Sequence, residues 1–293
     1  LTGALPSFNG MSNLVVFSVA RNSLAGPIPP MESLISLQSF FISFNRFVGH
    51  LPSLDNITGL KKLYMTRNSL SGSIPSFQHA KQLTEILISF NRFTGKIPAV
   101  EGLTELVRFD FSNNQLAGEL PSLKGIVKLT HFDGGRNFLS GPLPDLRDQK
   151  NLQLLRLQRN KLTGPFPPAL ANATNLQILN LDKNQLFGQL PALSSLTELV
   201  RFSAYSNLFS GPLPDLNGLK KLQLFYADSN MFTGAIPPLN STNLLEFYAN
   251  HNKLRGRFPS VHCPNLTQLK LHHNMLTGTI HNVLFTNTLD QLQ

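Results

Sequence analysis

The sequence predicts a right-handed solenoid of the α/β type that is mostly β, with about 12 full repeats of 22–24 residues. Two observations predict this fold class. An asparagine returns at a nearly fixed spacing, and apolar residues precede it by eight, five and three positions. The column contains Asn22, Asn45, Asn68, Asn91, Asn114, Asn137, Asn160, Asn184, Asn207, Asn230, Asn252 and Asn274. A fixed period of this length is typical of coils stacked one on the next.

The segment before each asparagine is predicted to be a strand. Before Asn184, for example, Leu179 and Leu181 occupy positions minus five and minus three, the spacing of a strand with one buried face. One coil cannot bury that face alone, whereas stacked coils bury it and join their strands into one long parallel sheet. The column asparagines are expected inside the stack, where their amides satisfy backbone groups at the bend.

The segment after each asparagine is predicted to leave the sheet. A glycine follows at plus four and, in every repeat but the last, a proline follows at plus seven, as Gly164 and Pro167 follow Asn160. Glycine permits a positive φ or the close approach of a neighbouring coil. Proline has no N–H group and suits a chain leaving a sheet. The return segment has room for 3₁₀ turns or extended chain, and is too short for a full helix.

The repeats fill residues 1–293, which predicts a single domain. The chain begins in the tail of one repeat, at Leu1, and ends with Leu289 and Leu292 at the minus-eight and minus-five positions of another. Solenoids usually carry capping repeats, and none is recognisable. We therefore expect a fragment, truncated at both ends, of a longer protein. No stretch is apolar enough to span a membrane, so membrane attachment is expected only through other parts of the parent protein.

Composition argues against several function classes. The net charge is +9, but only 14% of the residues are charged and they are spread over most repeats. Nucleic-acid-binding proteins usually concentrate basic residues on one face, so no nucleic-acid partner is expected. Cys263 is the single cysteine and lies on a return segment, where we expect an inert thiol. No nucleophile with a positioned base, phosphate-binding loop or zinc signature occurs, so we expect neither an enzyme nor a cofactor.

Four N-x-S/T sequons lie in return segments, ten to thirteen residues past a column asparagine: Asn56, Asn172, Asn240 and Asn265. Glycan acceptors on an outer face would have this placement. Several sequons are expected by chance in a chain this rich in Asn, Ser and Thr. Their placement, together with the resemblance of the repeats to a known family, nevertheless favours a glycosylated protein of extracellular or cell-surface origin.

The unit LxxLxLxxNxLxGxIP resembles the leucine-rich repeat, and its tail resembles the plant-specific subtype. Close matches run from Leu24 to Pro29, from Phe93 to Pro98 and from Leu186 to Pro191. The resemblance implies a secreted or cell-surface ligand-binding module, as in the ectodomains of plant receptor kinases and receptor-like proteins, and in polygalacturonase inhibitors. The chain departs from the subtype in its 23-residue period, its frequent phenylalanine at minus five and its lack of paired-cysteine caps.

Positions minus six, minus four, minus two and minus one are predicted to face outward on a concave side of the sheet, the usual binding surface of a curved solenoid. All four tyrosines fall there: Tyr64, Tyr226 and Tyr248 at minus four, and Tyr205 at minus two. Tyrosine is enriched at binding hot spots, although it also suits strand surfaces. We expect these tyrosines to bind ligand, with Tyr226 and Tyr248 about 5 Å apart on adjacent strands.

A second apolar zone is predicted nearer the N-terminus. Phe41 and Leu87 share the minus-four column with Tyr64, and Phe44 and Phe90 occupy minus one. These last two side chains either face outward with the others or pack into the edge of the sheet.

The middle of this face is charged. Its charged residues are Arg108, Asp110, His131, Asp133, Arg136, Arg156 and Arg159, with Arg201 further along. Asp110 and Asp133 share a column and could form an acid/base pair or a cation site. We favour a cross-strand network in which Arg108 and Arg156 neutralise them. Plant peptide receptors often hold a peptide's terminal carboxylate with paired arginines; Arg156 and Arg159 are spaced differently, yet guanidinium groups suit carboxylates.

His251, His272 and His273 are neighbours on the last two coils. Such a group could bind a metal or sense pH, but surface histidines without a ligand are commoner. We assign no metal site from the sequence.

The leading hypothesis is an extracellular recognition module that binds a peptide or protein on the concave face. It would be part of a cell-surface receptor or a secreted protein, with a co-receptor or a cell-wall glycan as a further partner. One alternative is a structural wall or surface-coat protein that needs no single ligand. Another is a carbohydrate-binding module whose aromatic residues stack on sugar rings.

Overall fold

The computed structural model describes residues 1–279 and the backbone of residues 291–292. It divides into two compact units, Leu1–Gln149 and Lys150–Gln293, and each is described by itself. Each unit is a stack of coils with parallel strands, which confirms the predicted solenoid class. The single-domain interpretation stays a prediction. Leu289 and the side chain of Leu292 lie outside the described residues.

The main sheet of each unit is built from the residues at minus six to minus four. In the first unit its strands are Val16–Ser18, Ser39–Phe41, Lys62–Tyr64, Glu85–Leu87, Arg108–Asp110 and His131–Asp133. In the second unit they are Leu154–Arg156, Ile178–Asn180, Arg201–Ser203, Leu224–Tyr226, Glu246–Tyr248, Gln268–Lys270 and Gln291–Leu292. Neighbouring strands are parallel and in register, so Phe109 lies beside Phe132. Leu292 likewise lies beside Leu269, at the minus-five position expected for it.

A second set of parallel strands follows the asparagines. In the first unit these strands are Thr2–Gly3, Ser23–Pro27, Arg46–Gly49, Ser69–Ser73, Arg92–Thr94, Ala117–Gly118 and Phe138–Gly141. In the second unit they are Lys161–Gly164, Gln185–Gln189, Leu208–Pro212, Met231–Thr233, Arg255–Arg257 and Met275–Thr277. The sequence analysis did not predict them. The plus-four glycines within or beside them have φ values between 75° and 91°, a region that favours glycine.

The return segments are short turns. Within the described residues the only helix is the 3₁₀ turn Pro168–Asn172, and no helix there is long and apolar enough to cross a membrane. This 3₁₀ turn lies in the 24-residue repeat between Asn160 and Asn184. It begins with proline, whose missing N–H costs no hydrogen bond at that position.

The single cysteine of the sequence, Cys263, is buried. Its Sγ donates a hydrogen bond to the Leu239 carbonyl oxygen at 3.2 Å, and burial raises the pKa of the thiol.

The core lies behind the main sheet and contains the residues at minus five. In the first unit the ring centroids of Phe109 and Phe132 are 6.0 Å apart. In the second unit Phe225 stacks between Phe202 and Phe247, with centroid distances of 5.0 and 5.1 Å. Such pairs contribute about 0.5–1.5 kcal/mol beyond the burial of their area. Phenylalanine at minus five therefore continues the packing from coil to coil.

The column asparagines tie each coil to the one before it. Asn114 is 8% exposed, and its Oδ1 accepts a hydrogen bond from the backbone N–H of Phe93 at 3.0 Å. Its Nδ2 donates to the carbonyl oxygens of Ile88 and Phe111, both at 3.1 Å. Phe93 and Ile88 belong to the preceding coil and Phe111 to the same coil. Asn207 makes the same set of contacts in the second unit.

The expectation that the whole minus-two column faces outward is wrong. Ser89, Ser112, Asp182 and Asn250 occupy this position and are at most 9% exposed. The alternation of faces stops because the strands end at minus four. All twelve residues at minus one then have a left-handed backbone, with φ between 53° and 59°, although none is glycine. The turn therefore draws minus two inward in these coils.

Candidate ligand-binding face

We use the name strand face for the outward side of the main sheet. It is made by the residues at minus six, minus four and minus one, together with those residues at minus two that are exposed. In the first unit Phe41 and Tyr64 lie side by side on it, with ring centroids 4.7 Å apart. The Tyr64 hydroxyl hydrogen-bonds the Glu85 carboxylate. Lys62 Nζ is 3.2 Å from Glu85 Oε1, and Arg108 Nη1 is 3.9 Å from Glu85 Oε2. Glu85 is thus the charged centre of this zone.

The ionisation of Tyr64 and Glu85 follows from these contacts. Burial, reinforced by the hydrogen bond to Glu85, raises the pKa of Tyr64 above its ordinary range. Burial acts to raise the pKa of Glu85, but the hydrogen bonds from Tyr64 and Lys62 and the charges of Lys62 and Arg108 together outweigh it, so that the pKa is lowered. The Glu85 carboxylate is therefore held ionised beside a neutral tyrosine.

The first four positions of the minus-one column in the first unit alternate between arginine and phenylalanine. Phe44 and Phe90 are 41% and 42% exposed. The Arg21 and Arg67 guanidinium carbons lie 4.9 and 5.8 Å from the Phe44 ring centroid, and Arg67 lies 4.4 Å from that of Phe90. These distances are typical of cation–π contacts. Of the two alternatives for Phe44 and Phe90, the exposed one is observed.

Asp110 and Asp133 lie on adjacent strands in matching positions, as their shared column predicts. Asp110 Oδ1 accepts hydrogen bonds from the Ser112 N–H at 3.1 Å and the Ser112 hydroxyl at 2.7 Å. Asp133 Oδ1 accepts from the Gly135 N–H at 3.1 Å. Arg108 has its ion pair with Glu85. These contacts indicate that both carboxylates stabilise the turn that follows each strand. They favour this structural role more than the role of an acid/base pair.

The other predicted arginines differ in exposure. Arg136 in the first unit and Arg159 in the second occupy minus one, are exposed and have φ values of 59° and 58°. Arg156 is half-buried on the main sheet, where its strand neighbour is Asn180. Arg156 therefore differs from Arg136 and Arg159 in exposure and in its position on the sheet.

A buried carboxyl group lies beneath Tyr205 in the second unit. Asp182 is 4% exposed, and its Oδ1 accepts hydrogen bonds from Ser203 Oγ at 2.6 Å and the Tyr205 N–H at 3.2 Å. Burial raises the pKa of Asp182 to about 6, although both hydrogen bonds oppose the shift. Burial, followed by the charge of Asp182, also raises the pKa of Tyr205. Lys183 Nζ lies 5.7 Å from the Tyr205 ring centroid.

Four side chains on four successive strands form what we call the tyrosine stack: Arg201, Tyr226, Tyr248 and Lys270. The tyrosine rings are in register, with centroids 4.7 Å apart and planes 30° apart. Arg201 Cζ lies 5.3 Å from the Tyr226 centroid, and Lys270 Nζ lies 4.5 Å from the Tyr248 centroid. Each ring is therefore flanked by the other ring on one side and by a cation on the other.

Hydrogen bonds fix the polar ends of the tyrosine stack. The Tyr226 hydroxyl donates to Glu246 Oε2 at 2.7 Å, and the Tyr248 hydroxyl donates to Gln268 Oε1. Burial, with the nearby Glu246 carboxylate, raises the pKa of both tyrosines. The Nε of Arg201 is buried and has no hydrogen-bond partner among the described residues. Both tyrosines are half-buried, and they lie on the same face of adjacent strands, as their shared minus-four column predicts.

Sequence reasoning missed several residues of this face. Glu85, Asp182, Glu246 and Lys270 orient or flank the predicted tyrosines. They occupy the same columns as the predicted residues, so reading each column across adjacent repeats could have found them. Residue type alone does not indicate which side chains touch across neighbouring strands.

All four sequon asparagines are exposed on return segments. Asn265 Nδ2 donates to the Thr242 carbonyl oxygen at 2.8 Å, and Asn240 Oδ1 contacts His262 Nδ1 at 3.2 Å. Glycosylation at Asn56, Asn172, Asn240 and Asn265 stays a prediction.

Comparison with known proteins agrees with this architecture. The family model of the Leucine Rich Repeat matches residues 151–173. Among solved structures, a TDR receptor has 30% identity and a TM-score of 0.86 over 94% of this chain and 50% of its own. The Arabidopsis receptor kinase HAESA, in complex with the peptide hormone IDA and the co-receptor SERK1, has 31% identity and a TM-score of 0.85 over 94% of this chain and 48% of its own.

A third similar structure is the leucine-rich-repeat ectodomain of the plant membrane receptor kinase GASSHO1/SCHENGEN3 from Arabidopsis thaliana in complex with CASPARIAN STRIP INTEGRITY FACTOR 2. It has 28% identity and a TM-score of 0.83 over 95% of this chain and 38% of its own. This chain therefore spans half or less of the length of these three structures. The search of curated proteins finds no match.

The repeats and the fold match a leucine-rich repeat solenoid. The chain is similar in type to the plant-type repeats of receptor-kinase ectodomains. These similarities support a receptor-like, ligand-binding module.

Proposed function

We propose that this chain is the extracellular recognition part of a receptor-like or secreted protein, and that it binds a peptide or protein along its strand face. The observation that carries the proposal is the tyrosine stack, in which Tyr226 and Tyr248 stand half-buried and in register on the outward side of the sheet. One similar structure is a complex with the peptide hormone IDA, and another is a complex with CASPARIAN STRIP INTEGRITY FACTOR 2. The sequons add support for an extracellular setting.

The stack has the properties of a preorganised anchor. Its rings are held between cations and its hydroxyls are fixed by Glu246 and Gln268, so little side-chain freedom is left to lose on binding. Aromatic residues and arginines are enriched among interface hot spots. Arg201 and Lys270 at the two ends suit a ligand that carries carboxylate groups.

The same geometry disfavours the carbohydrate alternative at this place. A sugar ring stacks on an open aromatic face. The face of Tyr226 away from Tyr248 is covered by Arg201, and the corresponding face of Tyr248 is covered by Lys270. A sugar could therefore stack on either ring only by displacing one of these two cations.

The test is the selection of peptides from a random displayed library on the purified chain. The enriched peptides are then titrated against the wild type, the double variant Tyr226→Ala/Tyr248→Ala and the control Phe187→Ala. Phe187 is 48% exposed and lies on the second set of strands, away from the strand face. We expect the double variant to lose about 30-fold or more in affinity, the size of a hot spot of about 2 kcal/mol.

The control is expected to bind like the wild type. Equal affinity of the double variant and the wild type for every enriched peptide would place recognition elsewhere. Failure to enrich any peptide would favour the structural-coat alternative. Thermal unfolding of each variant establishes that it is folded under the conditions in which its affinity is measured.

A further inference from the structure

The three histidines of the last two complete coils form a cluster that the proposed peptide-binding function does not use. One ring nitrogen from each of His251, His272 and His273 lies within 4.8 Å of those of the other two. The His251 and His273 rings stack with centroids 4.3 Å apart, and His272 stands edge-on to both at 5.3 and 5.2 Å. We propose that this cluster is a binding site for a divalent transition-metal cation of the zinc class.

A second observation points to a ligand. The Nδ1 of His272 is buried and has no hydrogen-bond partner among the described residues. Buried polar atoms are almost always satisfied, and one that is not calls for an explanation such as a bound ion. His251 and His273 are exposed, so a cation can reach the cluster from solvent.

The backbone holds the three rings in place. His251 and His273 occupy minus one on adjacent coils, with φ values of 53° and 55°. The His251 N–H donates to the His272 carbonyl oxygen at 3.0 Å, which ties the two coils together beside the rings. Side chains carried by a fixed turn of the sheet lose little freedom when they converge on a metal.

The donor set selects the metal. Zinc is commonly bound by three imidazoles, with a fourth coordination position open to solvent or to a ligand from a partner. Imidazole is a suitable ligand for zinc, copper and nickel. Zinc–nitrogen bonds of about 2.0–2.1 Å put tetrahedral ligand atoms roughly 3.4 Å apart. The nitrogens must therefore approach one another by up to about 1.4 Å from the 4.8 Å limit, which ring rotations can supply.

The surrounding charges are mixed. The carboxyl group of Asp228 interacts electrostatically with His251 and with Lys270. Asp228 provides negative charge that compensates the cation, whereas Lys270 opposes it. Because only neutral imidazole binds a metal, acidification is expected to weaken binding.

The experiment is a calorimetric titration of zinc chloride into the chelator-treated, dialysed chain, with cobalt absorption spectra reporting the coordination geometry. The variants are His251→Gln, His272→Gln and His273→Gln. His262→Gln is the matched control, since His262 is an exposed histidine on a return segment outside the cluster. We expect one zinc per chain, affinity lowered about tenfold or more in each cluster variant, and no change in the control.

Lower affinity at pH 5.5 than at pH 7.5 is also expected. Absence of saturable zinc binding would overturn the proposal, and so would equal binding by the wild type and the three cluster variants. An equal loss in His262→Gln would do the same, because it would show nonspecific histidine binding. His251→Gln and His273→Gln change exposed side chains, so the test stands even if His272→Gln fails to fold. The titration contains no peptide, so its result does not depend on whether the chain binds peptides.

Discussion

Removing one column asparagine tests the hydrogen-bond ladder that joins the coils. In Asn114→Ala the Phe93 N–H loses its acceptor, and the carbonyl oxygens of Ile88 and Phe111 each lose a donor. A buried, unsatisfied N–H costs about 1–3 kcal/mol, and two further hydrogen bonds contribute about 0.5–1.5 kcal/mol each. We therefore expect the free energy of unfolding to fall by about 2–6 kcal/mol.

The assay is urea unfolding followed by far-ultraviolet circular dichroism, with Gln115→Ala as the control. Gln115 is the next residue and its side chain is exposed, so truncation should change the free energy of unfolding by no more than about 0.5 kcal/mol. Asn114→Asp keeps an acceptor oxygen, removes the donors and buries a charge, so it should cost at least as much as alanine at neutral pH. A loss in Asn114→Ala no larger than that in Gln115→Ala would refute the reasoning.

Three further changes test the buried carboxyl, the glycine column and the aromatic core. Burial raises the pKa of Asp182 to about 6, so ionising it in the folded state costs stability as pH rises from about 4 through 6. In urea titrations, Asp182→Asn should therefore gain stability relative to wild type at pH 8, by at most about 3 kcal/mol, and the gain should vanish near pH 4; a pH-independent difference would contradict this. Gly211→Ala should lower the unfolding free energy by about 1–2 kcal/mol, because its φ is 75° and an added Cβ would lie 2.6 Å from the Gln189 side chain; an unchanged melting temperature would count against it. Phe109→Ala empties a fully buried site and should cost about 3–5 kcal/mol in the same unfolding assay, and a cost under about 1 kcal/mol would mean that the ring contacts described here are absent.

Much of the fold was predictable because each coil repeats the same physical problem. In each coil the column asparagine supplies amide contacts at the bend. The glycine adopts a positive φ, and the residue at minus five packs behind the sheet. Repetition over twelve coils makes each demand visible in the sequence. The in-register placement of Tyr226 beside Tyr248 follows directly from their equal distance to the column asparagine.

The errors arise where local geometry departs from the strand. Alternation of faces holds only while the chain is extended, and the strands end at minus four. The left-handed turn at minus one could not be read from sequence, because residues as different as Phe44, Lys183 and Ser206 adopt it. The burial of Asp182 at minus two follows from that turn.

The candidate site was predictable in position but not in its contacts. The column positions in the sequence predict which residues lie on the strand face, including Tyr226 and Tyr248. The covering of Tyr226 by Arg201 joins positions minus four and minus six of different coils, and depends on side-chain rotamers that a column cannot specify. Lys270 shares the minus-four column with Tyr248 and is its partner on the next strand, but the distance of its Nζ from the ring again depends on the side-chain rotamer.

The most direct measurement of the central claim is hydroxyl-radical labelling of the chain with and without a saturating selected peptide, read residue by residue by mass spectrometry. Binding on the strand face predicts that labelling of Tyr226 and Tyr248 falls while labelling of exposed Phe187 stays constant. Protection confined to the return segments, with both tyrosines labelled as in the free chain, would contradict it.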